Sequence, residues 1–596
     1  MEEQNVREVD VLIIGAGLAG LTLARHLLLA RPEIRILMLD RQAEIPSPKQ
    51  KVGEATVQVS GYYYSRVLEM EEHLLREHFL KYNLRFYWKT QRGGDVWEDL
   101  SQSFIRKISN IATYQLDRNV FEAAVLEKNR ESPNFELIHP TTNLHVDLAE
   151  STESHEKGPH AFRFEANGQE ISGRAGWVVD ASGRNRFLVK RRELDRPSPI
   201  KHGSSFLWVD GLLDPEKCTN LDRKAIRVRK ERSALGHFPT FLATNHYCGE
   251  GYWFWEIPLH GKTSLGLVFD SANVNFKDVS SAEKLVEWIC REYPLYARDL
   301  PKRKILHHSG LTSFALDNGQ TLSPARWALV GEACRFTDPL YSPGGDLIST
   351  YNTLIADAIL TEDQKALETK IRYYEPLARA IYEAYVPSFA VSYCTLGDQE
   401  CFSLRYVWEL TVYFAFYVFP FINDLLTEQA FLPAFLRRFG QLGPINQGIH
   451  RLLAAYYRWK KENVVMPSPE PVFFEFTDVG ALALAELTFY KVGVGHDEAR
   501  QVLDEQLENL RDLARWTAAH VAASVLDDPR AATNAAFIRG IDIDNLQFDP
   551  DDMAKRLEAA CRESEEAYAW RFEVPCMKRF RTERVAVEEM AMERAG

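Results

Sequence analysis

The sequence lacks the features of several protein classes. Its 8 cysteines are scattered among 596 residues, without a C-x-x-C pair or a His/Cys cluster, so we expect neither a disulfide framework nor a metal site. Asp and Glu (84) outnumber Lys and Arg (71), for a formal net charge of -13. This balance argues against nucleic-acid partners and against attraction to anionic membranes. A small molecule is the expected ligand.

Long apolar segments are also scarce. The start of the chain has no basic leader followed by an apolar run, which predicts a cytoplasmic protein without a secretory signal. The most apolar stretch, residues 406–426, is interrupted by Glu409, Pro420 and Asp424. A buried or interfacial helix is therefore expected there in preference to a membrane span.

A glycine-rich turn near the start predicts a dinucleotide site. Residues 9–14 read as a buried strand, which is followed by the G-x-G-x-x-G pattern of Gly15, Gly17 and Gly20 and then by a helix. In such a unit the three glycines allow a tight turn, close approach to a pyrophosphate and helix packing on the strand. A second strand ends in Asp40, where an acid would bind an adenosine ribose.

Three later segments favour FAD over NAD. Gln115-Leu116-Asp117-Arg118 resembles the L-D-R segment of FAD monooxygenases, and a buried strand ends in Asp180 as in their second adenosine-side loop. Gly331-Glu332-Ala333 is similar to their G-D-A motif, whose acid binds the ribityl chain, although here the acid is Glu332. Each segment alone is also typical of a strand end or a helix cap. Together they resemble the class A flavin monooxygenase fold.

Three further elements are similar to the flavin-dependent halogenases. Residues 253–258 read W-F-W-E-I-P and resemble the W-x-W-x-I-P motif of that family. Residues 53–56 match its G-E-[AS]-T segment, which implies that Glu54 lies near the flavin. Lys81 precedes an apolar strand, as a lysine does in the corresponding segment of the family. Read without the family, Trp253 and Trp255 would share one face of a strand and pack into a core. Lys81 would be an ordinary surface lysine.

The resemblance implies a division of labour among these residues. In the family, a separate flavin reductase delivers FADH2, and O2 then oxidises chloride or bromide to hypohalous acid, which travels to the substrate. Lys81 would control that oxidant, either as a chloramine or as a hydrogen-bond donor, and a lowered pKa would help either role. Trp253 and Trp255 would form a barrier that keeps flavin and substrate apart.

The loop at residues 341–345 departs from the tryptophan-specific members. Tyr341 aligns with the acid of an E-S-T-G-like run, and Pro343, which has no N–H, aligns with its threonine. Gly344 and Gly345 could present their amides to a halide, and Ser342 could donate its hydroxyl. The two glycines could equally serve close approach to the flavin without any halide. Free tryptophan is therefore disfavoured as the substrate.

These observations predict an α/β fold with a Rossmann-like FAD-binding domain, a β-sheet substrate layer and a mostly helical C-terminal region. The expected boundaries are 1–200 and 321–360 for the FAD-binding domain, 201–320 for the sheet layer and 361–596 for the helical region. An aromatic block at residues 406–459 is more typical of a core than of a ligand wall.

The leading functional hypothesis is an FADH2-dependent halogenase acting on a small electron-rich aromatic or heteroaromatic substrate, free or carrier-bound. A flavin monooxygenase or oxidase that does not use halide is the alternative within the same fold. A flavin-binding protein without turnover is a third hypothesis, since fold does not dictate function.

Overall fold

The structure is a computed structural model that describes residues 7–149, 159–222, 224–225 and 240–580. Its strands are numbered here in chain order. They are β1 (Arg7–Ile14), β2 (Ile36–Leu39), β3 (Phe79–Leu80), β4 (Leu84–Lys89), β5 (Leu100–Phe104), β6 (Tyr114–Gln115), β7 (Phe135–Ile138), β8 (Thr142–Asp147), β9 (His160–Ala166), β10 (Gln169–Asp180), β11 (Asp195–Arg196), β12 (His202–Asp210), β13 (Thr244–Gly249), β14 (Tyr252–Leu259), β15 (Lys262–Asp270), β16 (Ile305–Leu311), β17 (Asp317–Asn318), β18 (Leu322–Ser323), β19 (Trp327–Leu329) and β20 (Phe473–Phe474).

The α-helices lie mainly in the second half of the chain. They are α1 (Leu18–Ala30), α2 (Gln58–Tyr62), α3 (Glu71–Glu77), α4 (Arg118–Arg130), α5 (Phe187–Arg191), α6 (Ala282–Glu292), α7 (Pro343–Leu360), α8 (Gln364–Ala390), α9 (Gln399–Tyr413), α10 (Phe419–Ile422), α11 (Leu432–Asn463), α12 (Gly480–Glu486), α13 (His496–Leu526), α14 (Ala535–Arg539) and α15 (Pro550–Glu563).

The first sheet is the dinucleotide-binding layer that the glycine turn predicts. Its central order is β18-β19-β10-β1-β2-β7, and β1 pairs in parallel with both β10 and β2. The second half of β1 and all of β2 are buried apolar residues, as expected for strands covered on both faces. The parallel strands direct their carboxyl ends to one edge, where ligands of such sheets bind.

The second sheet has the order β16-β12-β15-β14-β13-β4-β5-β20. Its outer face is covered by α6, which buries Leu285, Trp288 and Ile289 in a separate core cluster. Strands β4 and β5 join this sheet from before residue 201, and β20 joins it from beyond residue 361. The predicted sheet layer is thus present, and the division of the chain into domains stays a prediction.

The C-terminal region is helical, as expected. Helix α13 coincides with a run of 31 residues in which apolar and charged side chains alternate at helical spacing. The aromatic stretch that raised the question of a membrane span is divided: α9 ends at Tyr413, a π-helical turn covers Phe414–Val418, and α10 has only four residues. Among the described residues, no helix has both the length and the hydropathy needed to span a bilayer. The predicted fold class is confirmed.

Candidate active site

The turn between β1 and α1 needs glycine at two of its three positions. Gly15 has a φ of +114°, and a Cβ there would lie 2.3 Å from the carbonyl oxygen of Ala181. A Cβ at Gly20 would lie 2.2 Å from the Gly15 oxygen. A Cβ at Gly17 would meet no protein atom within 4 Å. Gly15 and Gly20 thus allow the backbone to pack, whereas Gly17 borders open space.

That open space is a cavity with a volume of about 410 Å³, called the larger cavity because a neighbouring one is smaller. It extends from the glycine turn to the N-terminus of α7, and its wall includes three cationic side chains that could pair with a pyrophosphate: Lys51, Arg118 and Arg184. Arg335 also lines it, but its guanidinium donates to Asp317, Thr321 and Asn318. Six of the residues assigned to FAD from the sequence line it: Gly17, Glu54, Arg118, Glu332, Gly344 and Gly345. Ser342, from the halide assignment, lines it as well. The donor set and the helix N-termini therefore fit a dinucleotide.

Four predicted cofactor residues lie outside the wall of this larger cavity: Gly15 and Gly20 of the turn, and the two acids Asp40 and Asp180. Both carboxylate oxygens of Asp180 accept backbone N–H bonds, from Ser182 (2.9 Å) and Leu188 (2.7 Å). Asp40 accepts from the amides of Ala16 (2.7 Å) and Gln42 (2.8 Å). Each acid therefore shapes the backbone at the end of a strand, and direct contact with a cofactor stays a prediction.

Glu54 is the centre of a buried hydrogen-bond network. Its Oε1 accepts from Trp208 Nε1 at 2.6 Å, and its Oε2 accepts from the Ser264 hydroxyl. Trp255 Nε1 donates to the same Ser264 Oγ at 3.1 Å. Burial raises the pKa of Glu54 to about 7. The network ties one tryptophan of the W-x-W element to the wall of the larger cavity.

Trp253 and Trp255 point to the same side of β14, with ring centroids 5.6 Å apart. Both line the larger cavity, and neither lines the smaller one described below. Each indole N–H has an acceptor, since Trp253 Nε1 donates to Asp338 Oδ1 at 3.2 Å. The two rings thus form a fixed wall on the predicted flavin side. Their role as a barrier stays a prediction.

Asp338 holds the predicted halide loop in place, a role that sequence reasoning missed. This fully buried acid accepts from Trp253 Nε1 and from the Leu340 amide (2.9 Å), and it pairs with His202 Nδ1 at 2.7 Å. His202 in turn stacks on Tyr393 with centroids 3.9 Å apart. The only signal in the sequence was an acid at the start of the Pro- and Gly-containing loop.

The loop after Asp338 has an unusual backbone. Tyr341 (φ 67°) and Ser342 (φ 60°) are both left-handed, a conformation that stores strain at non-glycine residues. Pro343 is then the first residue of α7, where the missing N–H has no helical partner to lose. The amides of Gly344 and Gly345 lie in the first turn, where amides have no intrahelical acceptor. Gly344, Gly345 and Ser342 line the larger cavity.

The smaller cavity, of about 260 Å³, lies on the other side of this loop. Tyr341 and Asp346 line the smaller cavity, whereas Ser342, Gly344 and Gly345 line the larger one. Its remaining walls come from residues 80–84, residues 105–113 and the C-terminal helices, including Tyr406, Glu409, Leu410, Tyr413, Phe414 and Tyr417. The aromatic block is therefore a cavity wall on one side, while Trp408 and Phe416 belong to the core.

Lys81 lies where the two cavities approach each other. Its ammonium group donates to the carbonyl oxygen of Thr56, a residue of the larger cavity, while Lys81 itself lines the smaller one. The side chain is buried, not a surface lysine. Burial lowers the pKa of Lys81 to about 7, against the opposing effect of Asp346.

Asp346 completes this site. Its Oδ2 accepts from the Tyr413 hydroxyl at 2.6 Å and its Oδ1 from the Ser60 amide at 2.9 Å. Burial raises the pKa of Asp346 to about 6, although both hydrogen bonds act in the opposite direction. An acid thus faces Lys81 from the first turn of α7, five residues beyond Tyr341.

Comparisons with known proteins agree with this geometry. The family model described as lycopene cyclase protein matches residues 10–70. The flavin-dependent halogenase chlA of Dictyostelium discoideum is 24% identical over 449 residues, which cover 70% of this chain and 71% of that protein. A 1H-pyrrole-2-carbonyl peptidyl-carrier-protein chlorinase of Pseudomonas fluorescens is 23% identical, covering 56% of this chain and 72% of the relative.

A solved structure of the halogenase PltM in complex with phloroglucinol and FAD shares the fold. It is 16% identical, with a TM-score of 0.53, and the match covers 85% of this chain and 96% of that one. This chain is a relative of the flavin-dependent halogenases.

The resemblance that the sequence suggested is thereby confirmed. The halogenase relatives also confirm the expected class, a flavin-dependent oxidoreductase. The described residues contain no cluster of three or more His, Cys, Asp or Glu arranged to hold a metal ion.

Proposed function

We propose that this halogenase relative is an FADH2-dependent halogenase that uses O2 and halide to halogenate an electron-rich aromatic or heteroaromatic substrate. The observation that carries the proposal is the placement of Lys81. A buried lysine with a pKa near 7 contacts the backbone of one cavity and lines the other. A reaction that makes an oxidant in one cavity and uses it in another needs a group at that position.

The larger cavity would hold FAD. Arg118 and Arg184 would pair with the pyrophosphate, the N-terminus of α1 would face it, and Glu332 would reach the ribityl chain. The pKa of Glu332 is raised by burial, with Arg184 and Arg118 opposing. Reduced FAD, when bound, supplies the electrons with which O2 oxidises halide to hypohalous acid.

Halide would bind at the start of α7. Gly344, Gly345 and Ser342 line the larger cavity, and a helix N-terminus favours an anion. The amides of the two glycines and the Ser342 hydroxyl would be the donors. The Ser342 amide is not available, because it donates to Pro339 O at 2.9 Å. Chloride and bromide are both candidates for this site.

Lys81 would then hold the hypohalous acid beside the substrate. As an ammonium it donates one proton to Thr56 O and keeps further donors for the oxygen of the oxidant. Donation to that oxygen makes the halogen more electrophilic. The Asp346 charge favours the ammonium form of Lys81, so we propose the hydrogen-bond donor role over the chloramine.

The substrate would occupy the smaller cavity, whose volume of about 260 Å³ suits a small ring system. PltM was solved with phloroglucinol, and the Pseudomonas fluorescens relative is named for a pyrrole bound to a carrier protein. Leu80 and Ile108 line this cavity and are 40% and 51% exposed, which marks its mouth. A free substrate and a carrier-bound one could both enter there.

A separate flavin reductase would deliver FADH2, and we place both proteins in the cytoplasm. All eight cysteines are free thiols, which fits a reducing compartment.

Purified protein supplied with FADH2, O2 and either chloride or bromide is expected to form hypohalite. Its formation is measured by halogenation of an activated phenol or by a hypohalite trap in solution. Samples without halide, and samples with hydrogen peroxide replacing O2 and FADH2, serve as controls. If peroxide alone accumulates at every halide concentration, the proposal is contradicted and the halide-independent oxidase is favoured. Pro343 and Tyr341 in the loop are the residues that support this alternative.

Substrate halogenation is expected to fall as the pH rises through about 7. Below that pH Lys81 is an ammonium and can donate to the oxidant, whereas above it the amine loses that proton. Asp346, whose pKa is near 6, loses its charge at the acid end of the range and limits the rate profile there. Because Lys81 and Asp346 interact, the two pKa values read from the profile belong to the pair. Rates measured from pH 5.5 to 9 test this. A rate that rises through pH 7 would favour the chloramine role instead.

A further inference from the structure

The end of the smaller cavity that is formed by α9 carries a carboxylate with an unused oxygen. Glu409 Oε1 accepts from Arg405 Nε at 2.9 Å, and its Oε2 has no hydrogen-bond partner among the described residues. The Tyr341 hydroxyl, in the same cavity wall, also has none. A buried acceptor without a partner costs free energy, so this arrangement points to a ligand that supplies a donor.

Arg405 holds this carboxylate in one orientation. The arginine is completely buried, and its other nitrogens donate to Ser392 O (3.1 Å) and Ser388 Oγ (2.7 Å). These bonds fix the guanidinium to α8 and to the turn after it. Arg405 therefore holds Glu409 through Oε1, while Oε2 has no hydrogen-bond partner among the described residues. Tyr341 and Glu409 both belong to the wall of the smaller cavity. Burial raises the pKa of Tyr341 and its interaction with the Glu409 side chain adds to this effect, although the two groups do not reach hydrogen-bond geometry.

Other polar groups of the cavity are already engaged. Asp346 accepts from Tyr413 and Ser60, and Lys81 donates to Thr56. Asn446 accepts from Trp408 Nε1 (2.8 Å) and donates to Ala384 O (2.9 Å). Of the two carboxylates that line the cavity, Glu409 is thus the one that can accept a new hydrogen bond without losing an existing one.

The charges around Glu409 favour a neutral donor. Arg405 offsets the negative charge of Glu409, and Lys81 and Asp346 offset each other in the same cavity, so a cationic ligand would gain little. Leu84, Leu410, Val412 and Phe414 provide apolar surface for a ring. An uncharged aromatic ring that carries a hydroxyl group fits both conditions.

We propose that Glu409 is a catalytic residue that accepts the hydroxyl proton of a hydroxylated aromatic substrate while the ring is halogenated. This role rests on the halogenase function proposed above. It also explains how this chain supplies an acid although Tyr341 stands at the aligned position of the loop. The carboxylate comes from α9 of the C-terminal region and lies beside Tyr341.

The proton balance of the halogenation step gives opposite roles to the two polar groups of the smaller cavity: Lys81 donates a proton and Glu409 accepts one. A pair of ring π electrons forms the carbon–chlorine bond, and the chlorine–oxygen bond of hypochlorous acid breaks with its electron pair on oxygen. That oxygen takes a proton from the Lys81 ammonium and leaves as water. The hydroxyl proton passes to Glu409 as the ring oxygen becomes a carbonyl. Loss of the ring proton, by way of water, restores the Lys81 ammonium, and Glu409 returns its proton to the oxygen.

The physical reason for a base at this end is the change in acidity along the reaction. A phenol has a pKa near 10 and keeps its proton at neutral pH. Once the ring has accepted an electrophilic halogen, its positive charge makes the same O–H group strongly acidic. A fixed carboxylate that accepts the proton at that moment stabilises the transition state more than the ground state.

The first test compares Glu409→Gln with the unchanged protein, using phloroglucinol as the probe. The variant is expected to halogenate phloroglucinol about 100-fold more slowly, while hypohalite formation in the absence of the ring is unchanged. Equilibrium binding of phloroglucinol, measured by calorimetry, is expected to weaken about tenfold. Glu462→Gln, which changes an exposed glutamate of α11, is the matched control and is expected to alter neither quantity.

A second measurement needs no variant and covers the case in which Glu409→Gln fails to fold beside the buried Arg405. The unchanged protein is given phloroglucinol or its trimethyl ether, and each rate is divided by the rate of the same ring with free hypohalite. The ether has no hydroxyl proton, so its normalised rate is expected to be at least about tenfold lower. In a folded Glu409→Gln variant this difference is expected to disappear.

The outcomes separate this role from the proposed function. If hypohalite forms but Glu409→Gln halogenates phloroglucinol at the original rate, or if the two normalised rates are equal, the role of Glu409 is wrong and the halogenase function stands. If the unchanged protein forms no hypohalite, the proposed function fails. If, in addition, Glu409→Gln binds phloroglucinol as tightly as the unchanged protein does, the proposed recognition of the hydroxyl group by Glu409 is also wrong.

Discussion

Replacing Lys81 by alanine is expected to reduce halogenation of the aromatic substrate by roughly 10²- to 10⁴-fold, the usual contribution of a positioned acid–base group. The ammonium group is buried, donates to Thr56 O and lines the smaller cavity beside Asp346. Without it, hypohalous acid would reach the ring without a donor on its oxygen. FAD binding and hypohalite formation are expected to continue, because Lys81 is not in the wall of the larger cavity.

Lys81→Met provides the matched control for packing, because it keeps an unbranched side chain and removes the amine. It is expected to match Lys81→Ala in activity while preserving more of the stability.

The lowered pKa of Lys81 also has a consequence for the stability of the protein. Folding favours the neutral amine, so the unchanged protein should gain stability as the pH rises from about 7 towards the unfolded value near 10.4. This gain should be absent in Lys81→Met. Full halogenation by either variant would remove the proposed role.

The substitution Gly15→Ala is expected to abolish FAD binding and to lower the free energy of unfolding by about 2–4 kcal/mol. Gly15 has a φ of +114°, and its new Cβ would lie 2.3 Å from the backbone oxygen of Ala181. Because Ala181 follows directly on β10, which pairs with β1 in the centre of the first sheet, neither backbone can move away cheaply. Thermal unfolding and the flavin content of the purified protein measure the two effects.

Gly17→Ala is the informative comparison. Gly17 has a φ of -91°, which any residue adopts, and its Cβ would meet no protein atom within 4 Å. The free energy of unfolding is therefore expected to change by less than about 1 kcal/mol. The added methyl group would project into the larger cavity, so FAD affinity should fall about tenfold or more. Equal effects of the two substitutions on stability would contradict the different roles assigned to these glycines.

The first sheet and its glycine turn were predictable because their signals are local. A buried apolar strand, a glycine pattern and a helix follow one another within residues 7–30, and each element is dictated by neighbours a few residues away. The same holds for α13, whose bounds match its apolar pattern. The W-x-W element was found in the same way, as a string of neighbouring residues.

Several site assignments could be only partly anticipated. Asp40 and Asp180 were predicted from their positions after strands, but whether an acid at a strand end faces a ligand or caps backbone amides depends on the local turn. The structure shows the capping bonds. The aromatic block was judged mainly as core, since a stripe of apolar side chains looks alike in sequence whether it faces another helix or a cavity.

The sequence by itself determined the dinucleotide fold, the resemblance to the halogenases and the identity of Lys81 as the central candidate. Only the tertiary structure decided that the loop at residues 341–345 divides two cavities, that Asp338 anchors this loop, and that Glu409 lies beside Tyr341. The physical reason is distance along the chain. A cavity wall is assembled from elements whose mutual packing is set by their summed burial and hydrogen bonding, and no local pattern records which of them will meet.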